Sequence, residues 1–189
     1  MVTHYDLCKK TAEWSAKDAD VCLFDYQSYA SGEFPDVLSY HSSGTMLYEI
    51  KVSRSDFKSD AGKDCRQRLR PHTIKVRSKK TYDWYVDSGS GKNVKFPVTY
   101  GRIEKIVVQK PHLGSRRYYV CPWGLIKPEE VKLFGLYWYR EKDGKFFKKK
   151  ESEKFRRDIH TEQALLIHAL RKQVNVGNDK VVVKKYKER

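Results

Sequence analysis

The chain has 189 residues, a formal net charge of +15 and an apolar content of 39%. That length suits one domain with a real core, elaborated in places, better than two domains. No apolar run reaches eighteen residues and no charged-then-apolar leader opens the chain, so the expectation is a soluble, cytoplasmic protein without a membrane partner.

Residues 5–18, Tyr5 through Asp18, predict a short helix with a partial apolar stripe of Leu7, Ala12, Trp14 and Ala16, and it carries Glu13. Val21 to Tyr26 predicts a strand by its apolar and aromatic content, and Ser28 to Glu33 a loop. Phe34 to Tyr40 and Met46 to Val52 are rich in β-branched and aromatic residues, with a polar turn, His41 to Thr45, between them. This pattern predicts a β-hairpin. Glu49 and Lys51 are two apart and share a face, while Ile50 takes the other. Asp36 opens the first strand where Glu49 and Lys51 close the second. Two carboxylates and an ammonium therefore converge at the open end of the hairpin. Hard oxygen ligands suit Mg²⁺, and a nearby lysine can orient a water or stabilise charge developing on a phosphoryl group. The plainer alternative is a solvated face with surface pairs worth about 0–1 kcal/mol. Against it, Glu49 sits in a mostly apolar run, where an inward charge is costly unless paired or metal-bound.

Ser53, with Asp56 three residues on, predicts a capped helix start running to about Asp64. Arg54, Lys58 and Lys63 lie on that helix, and the amides at its start could hold a phosphate, which makes Ser53 and Arg54 candidate nucleic-acid contacts. Residues 66–117 predict an inserted β-rich elaboration. Arg66, Arg68 and Arg70 alternate before Pro71, then come Lys75, Arg77, Lys79 and Lys80, interleaved further on with Tyr82, Trp84, Tyr85 and Tyr100. Phosphate-tracking cations with aromatic stacking platforms suit a nucleic acid. Ordinary core packing remains the competing account of any single aromatic.

Tyr118 to Cys121 predicts a strand ended by Pro122, and Leu125 to Val131 a short turn or helix with Pro128 near its first position. Leu136 to Arg140 predicts a strand, with Lys142 to Lys145 as its hairpin turn. Lys148, Lys149, Lys150, Arg156 and Arg157 form either a phosphate patch or a solvated linker. Phe155, Ile159, Leu166 and Leu170 predict an amphipathic helix over 153–174; Val181 to Val183 would add an edge strand, and 184–189 a mobile basic tail.

The charge is divided along the chain. Residues 1–61 hold six Lys/Arg against ten Asp/Glu, and residues 62–189 thirty-three against fourteen. A cation-binding cleft set in a polyanion-binding surface would have that division; basic surfaces also serve acidic protein partners. Of the four cysteines, Cys22 and Cys121 lie in apolar, strand-like contexts, which points to buried thiols in a reducing compartment. Cys65, His72, His112 and Cys121 could gather around zinc, but their spacing matches no standard finger.

Pro35-Asp36, followed by Glu49-Ile50-Lys51, resembles the signature of the PD-(D/E)XK nuclease superfamily. The continuation Val52 to Asp60 is similar to the MmcB-like branch and related phage or plasmid proteins, and Tyr118 to Ile126 resembles a later core strand and its exit turn. The resemblance covers roughly residues 10–65 and 117–140, about half of the chain. It implies an α/β fold: a restriction-endonuclease-like central mixed sheet flanked by helices, here a single domain with the basic insertion inside it. It also implies Mg²⁺-dependent hydrolysis of DNA, with Mn²⁺ as a substitute, in repair or mobile-element DNA processing. Asp36, Glu49 and the Ile50 carbonyl would hold the metal, Lys51 would serve catalysis, and Glu13 would be an auxiliary ligand. A protein that keeps the fold and binds nucleic acid without turnover is the alternative.

Overall fold

The structure is a computed structural model that describes residues 2–26, 33–60, 72–77, 81–86, 93–99, 103–108, 112–176 and 180–183. The chain divides into two compact units, residues 1–69 with 111–189 and residues 70–110. The first is α/β. It contains α1 (His4–Ser15), β1 (Val21–Phe24), β2 (Val37–His41), β3 (Gly44–Ile50), α2 (Arg54–Asp60), β8 (Arg116–Pro122), β9 (Gly135–Arg140), β10 (Lys145–Lys150), α3 (Ile159–Val176) and β11 (Val181–Val183). The second holds β4 (His72–Arg77), β5 (Thr81–Val86), β6 (Asn93–Thr99) and β7 (Ile103–Val108). There β4 pairs antiparallel with β7, and β5 with β6. The unit 70–110 thus holds two strand pairs, the β5–β6 pair lying between β4 and β7 in sequence.

The seven strands of the first unit form one mixed sheet in the order β10-β9-β8-β3-β2-β1-β11. The three central strands β3, β8 and β9 are parallel, and antiparallel pairs complete both sides. Parallel neighbours bring the carboxyl ends of β3, β8 and β9 to one end of the sheet, which is where the signature residues lie.

Strand parity sorts the core into two faces. Tyr48 and Ile50 of β3, with Tyr118, Val120 and Tyr139, pack against Leu7, Cys8 and Ala12 of α1. On the other face Leu23, Leu38 and Leu47 meet Leu165 and Ala169 of α3, and beside them Tyr119, Cys121 and Leu136 pack with Ile126, Phe134 and Phe155. Each fully buried aliphatic side chain contributes about 1.5–3 kcal/mol relative to exposure. Cys22 and Cys121 are buried thiols, as their contexts predict, and Cys8 is a third.

The β2–β3 hairpin has Val37 opposite Tyr48 and closes at His41 and Gly44 around Ser42-Ser43. Gly44 has φ +140°, and a Cβ there would stand 2.8 Å from the Ser115 Oγ. Only glycine fits that conformation and that approach. Buried Glu162 of α3 anchors this end. It accepts from the Thr45 hydroxyl (2.7 Å), the Gly114 amide (2.8 Å) and the Arg157 guanidinium (2.7 and 3.0 Å).

Several expected boundaries move. The first helix starts at His4, where Thr3 accepts from the Asp6 amide, and ends at Ser15 rather than Asp18. Strand β1 stops at Phe24 because Asp25 takes a positive φ of 46°. Residues 153–158 are irregular rather than helical, with one isolated bridge from Arg157 to His112. Phe155 bonds the Ser115 carbonyl, and Asp158 accepts from the Thr161 amide as the N-cap of a helix that begins only at Ile159. Phe155 fell on the helical period by coincidence. Lys145–Lys150 is a strand rather than a linker. Residues 184–189 lie outside the described residues. Among the described residues no helix is long and apolar enough to cross a membrane.

Candidate functional site

Asp36 stands one residue before the Val37–Tyr48 pair and Glu49 one residue after it, so the register sets them at the same end of the hairpin. The Ile50 amide donates to Asp36 Oδ2 at 2.8 Å, which ties that carboxylate to the backbone between Glu49 and Lys51. Lys51 extends the β3–β8 pairing by donating its amide to the Val120 carbonyl at 2.9 Å. Its side chain turns to the same face as Glu49, as strand parity predicts.

That lysine is almost wholly enclosed. Lys51 is 2% exposed and Glu49 3%. The Lys51 ammonium lies 3.1 Å from Asp60 Oδ1, 3.6 Å from Glu49 Oε2 and 3.6 Å from Asp56 Oδ1. Asp56 and Asp60 are four apart on α2 and so occupy one helix face. Buried Asp60 also accepts from the Tyr119 hydroxyl at 2.7 Å. Ser53 caps α2 as expected, its hydroxyl accepting from the Asp56 amide at 3.2 Å. The site is therefore a lysine held by three carboxylates, two more acidic partners than the signature supplies.

A second cluster adjoins Asp36. His4, in the first turn of α1, places Nε2 3.4 Å from Asp36 Oδ1, and its Nδ1 lies 3.6 Å from the Cys8 sulfur. Ligand atoms of His4, Cys8 and Asp36 all fall within 4.8 Å of one another. The bond to Asp36 raises the His4 pKa above its usual value, with burial opposing it. Burial first, then the charge of Asp36, push the Cys8 thiol up, with smaller contributions from Asp25 and Glu49. The ligand atoms that the structure brings together are thus those of His4, Cys8 and Asp36, a mixed set of one imidazole, one thiol and one carboxylate.

The remaining expected site residues scatter. Glu13 is exposed and borders a groove with Lys10, Trp14, Tyr139 and Phe146. It lies nine residues from His4 along α1, about half a turn out of phase and about 13 Å along the axis. His4, not Glu13, is the α1 residue that reaches Asp36. Arg54 forms a two-pronged pair with Glu130 at 2.7 and 2.5 Å and donates to the Leu125 carbonyl at 3.0 Å. That bond, with the Lys127 amide, lowers the Glu130 pKa to about 2. The helix-start arginine thus fastens α2 to the β8–β9 connection. Lys75 and Arg77 are on β4, opposite Lys105 and Ile103. Arg66, Arg68, Arg70, Lys79 and Lys80 lie outside the described residues, as does Cys65 of the zinc alternative.

Among the known proteins compared, no family model and no curated protein sequence matches this chain. One solved structure is similar in fold. It is described as "SPO1766 protein of unknown function from Silicibacter pomeroyi", with 12% identity over 90% of each chain and a TM-score of 0.51. At that identity the likeness concerns the fold alone.

Four residues of the site escaped sequence reasoning in these roles: His4, Cys8, Asp56 and Asp60. The i,i+4 spacings His4/Cys8 and Asp56/Asp60 were the available signals, and neither says which neighbour the helix face will meet.

Proposed function

We propose that this chain is a metal-dependent nuclease that hydrolyses DNA phosphodiester bonds, built on a restriction-endonuclease-like sheet and working in the cytoplasm. The observation that carries this reading is the shared end of the β2–β3 hairpin. Asp36 accepts from the amide between Glu49 and Lys51, while Glu49 and Lys51 face one another at 3.6 Å. Asp36, Glu49 and the Ile50 carbonyl would hold Mg²⁺ or Mn²⁺. When bound, such an ion supplies a water of lowered pKa and neutralises charge on the phosphoryl oxygens. Lys51 is held by Asp56 and Asp60 at a fixed position beside Glu49, where its ammonium can orient a water or meet charge developing on phosphorus. His4 braces the second oxygen of Asp36. Arg66, Arg68, Arg70, Lys75, Arg77, Lys79 and Lys80 would supply phosphate contacts.

The burial of Lys51 among three carboxylates supports the second reading, a nucleic-acid-binding protein that retains this core without turnover. Incubation with Mg²⁺ or Mn²⁺ and single-stranded, duplex, flap and supercoiled DNA separates the two. Cleavage that disappears in Glu49→Gln and Lys51→Met supports the nuclease. DNA binding with no cleavage of any substrate leaves only the binding protein.

A further inference from the structure

The carboxyl ends of β3, β8 and β9 lie at one end of the sheet, and the candidate site uses only the first of them. Where β8 and β9 end, aromatic rings and cations gather on the face that also carries Glu49 and Lys51. Trp123 follows β8 directly and keeps its pairing, donating its amide to the Tyr139 carbonyl at 2.9 Å. Its ring lies 5.1 Å from that of Trp138 on β9 and 5.1 Å from that of Phe147 on β10. Trp123 is nevertheless 47% exposed.

Two cations flank these rings. The Lys149 ammonium stands 4.7 Å from the ring centres of both Trp123 and Trp138 and 5.8 Å from that of Phe147. The Arg140 guanidinium stands 4.6 Å from Phe147 and 5.4 Å from Trp123. The three successive lysines of β10 are not equivalent. Lys148 pairs with Glu151 at 2.7 Å, and Lys150 donates to the Val131 and Lys132 carbonyls. Lys149 makes no ion pair among the described residues and meets aromatic rings. Arg140 has Asp143 as its carboxylate partner at 2.6 Å.

We propose that the Trp123–Lys149 surface binds a single-stranded nucleic acid segment leading away from the candidate site, with a base stacked on Trp123 and a phosphate on Lys149. This rests on the nuclease reading for the direction of the strand. It adds a place where the substrate is held and a preference for unpaired bases. The Lys51 amide is bonded at Val120, three residues before Trp123, so the two places are about 10 Å apart along β8. Three nucleotides of a stacked strand, at about 3.4 Å each, span that distance. A duplex hides its base faces, whereas an unpaired base offers one to an exposed indole, and the cations beside the ring suit the adjoining phosphates. An acidic polypeptide would use the cations but gain little from the indole.

The test is equilibrium binding of fluorescein-labelled dT12 to the whole chain in EDTA, so that no strand is cut, read by anisotropy and by quenching of tryptophan emission. The wild-type protein should bind with quenching. Trp123→Ala should weaken dT12 binding at least five-fold and abolish part of the quenching, and Trp123→Phe should restore most of the affinity. Neither change should alter binding of an abasic strand of the same length. Lys149→Gln should lower the dependence of log affinity on log salt by about 0.7, the value for one phosphate on a single strand. Unchanged thermal unfolding of the variants confirms that folding is intact; Trp123→Leu replaces Trp123→Ala, and Lys149→Met replaces Lys149→Gln, where either fails this control, with the same losses expected. Unchanged dT12 affinity in Trp123→Ala overturns the proposal, as does a wild-type protein that binds no dT12. Displacement of dT12 by polyglutamate together with an inert Trp123→Ala assigns the surface to an acidic protein instead. Trp123-dependent binding without metal-dependent cleavage keeps this surface and removes the nuclease reading. Cleavage without any Trp123 effect does the reverse.

Discussion

Lys51 and Lys149 lie at the same end of one sheet and on the same face, yet their surroundings are opposite. Lys51 is buried among Glu49, Asp56 and Asp60, and Lys149 is exposed against the rings of Trp123 and Trp138. Taking an ammonium out of water is costly, so the buried one carries a full set of anionic partners. The exposed one keeps its hydration and needs only a weak partner. The buried arrangement fixes a geometry, whereas the exposed arrangement leaves a charge available to something outside the chain.

The largest expected effect comes from breaking the buried side. Lys51→Ala removes a buried ammonium from beside Glu49, Asp56 and Asp60, and urea unfolding should show a loss of about 3–5 kcal/mol. A loss below about 1 kcal/mol would mean that the enclosure contributes little and that the contrast with Lys149 is superficial. Tyr119→Phe tests the same region more gently. It removes the hydroxyl that donates to Asp60 Oδ2 and should cost about 1–3 kcal/mol in the same measurement, because a buried carboxylate oxygen loses a donor. On the exposed side, Lys149→Ala should change stability by no more than about 0.5–1 kcal/mol, in keeping with a cation–π contact at the surface. A loss comparable to that of Lys51→Ala would show that the aromatic cluster depends on its lysine.

The smallest effect concerns acid. The Glu151 pKa is lowered to about 2, first by the bond from Lys148 and then by the bond from the Tyr118 hydroxyl. A carboxylate depressed by folding stabilises the native state above its ordinary value near 4.5, and that contribution fades as pH falls towards 2. Glu151 is exposed, so solvent screening keeps the effect small. The melting temperature of Glu151→Gln should fall less steeply between about pH 5 and pH 2 than that of the wild type. Parallel curves would remove Glu151 from the acid limb.

What the sequence made legible was local. The β2–β3 hairpin, the Ser53 cap, β8 with its Pro122 end and the β9–β10 hairpin follow from period-two patterning and turn chemistry, and the structure has all four. Strand parity also placed Glu49 and Lys51 together. The missing parts depend on long-range packing. No local rule brings Tyr119 to Asp60, fifty-nine residues earlier, or Arg117 to Glu33. Arg117 shows how far this goes. It is fully buried, grips Glu33 at 2.7 and 2.6 Å and donates to the Leu113 carbonyl at 2.6 Å, although the sequence offers it as one more surface cation. Counting basic residues therefore overstated the charge available to a polyanion, since Arg54, Arg117 and Lys150 are all engaged within the chain.

The turn at Gly44 bears on the candidate site although it lies far from it. Five residues of extended strand separate it from Glu49, about 17 Å. Gly44, Thr45 and their anchor Glu162 determine which residue of β3 stands opposite which residue of β2. A slip of one position there would carry Glu49 and Lys51 through to the α1 face and leave Asp36 beside an apolar neighbour. Distance from Asp36, Glu49 and Lys51 is thus a poor guide to tolerance in this protein. The bare backbone of a buried glycine works as a ruler, and replacing it would misplace Glu49 and Lys51, whose positions are measured from it.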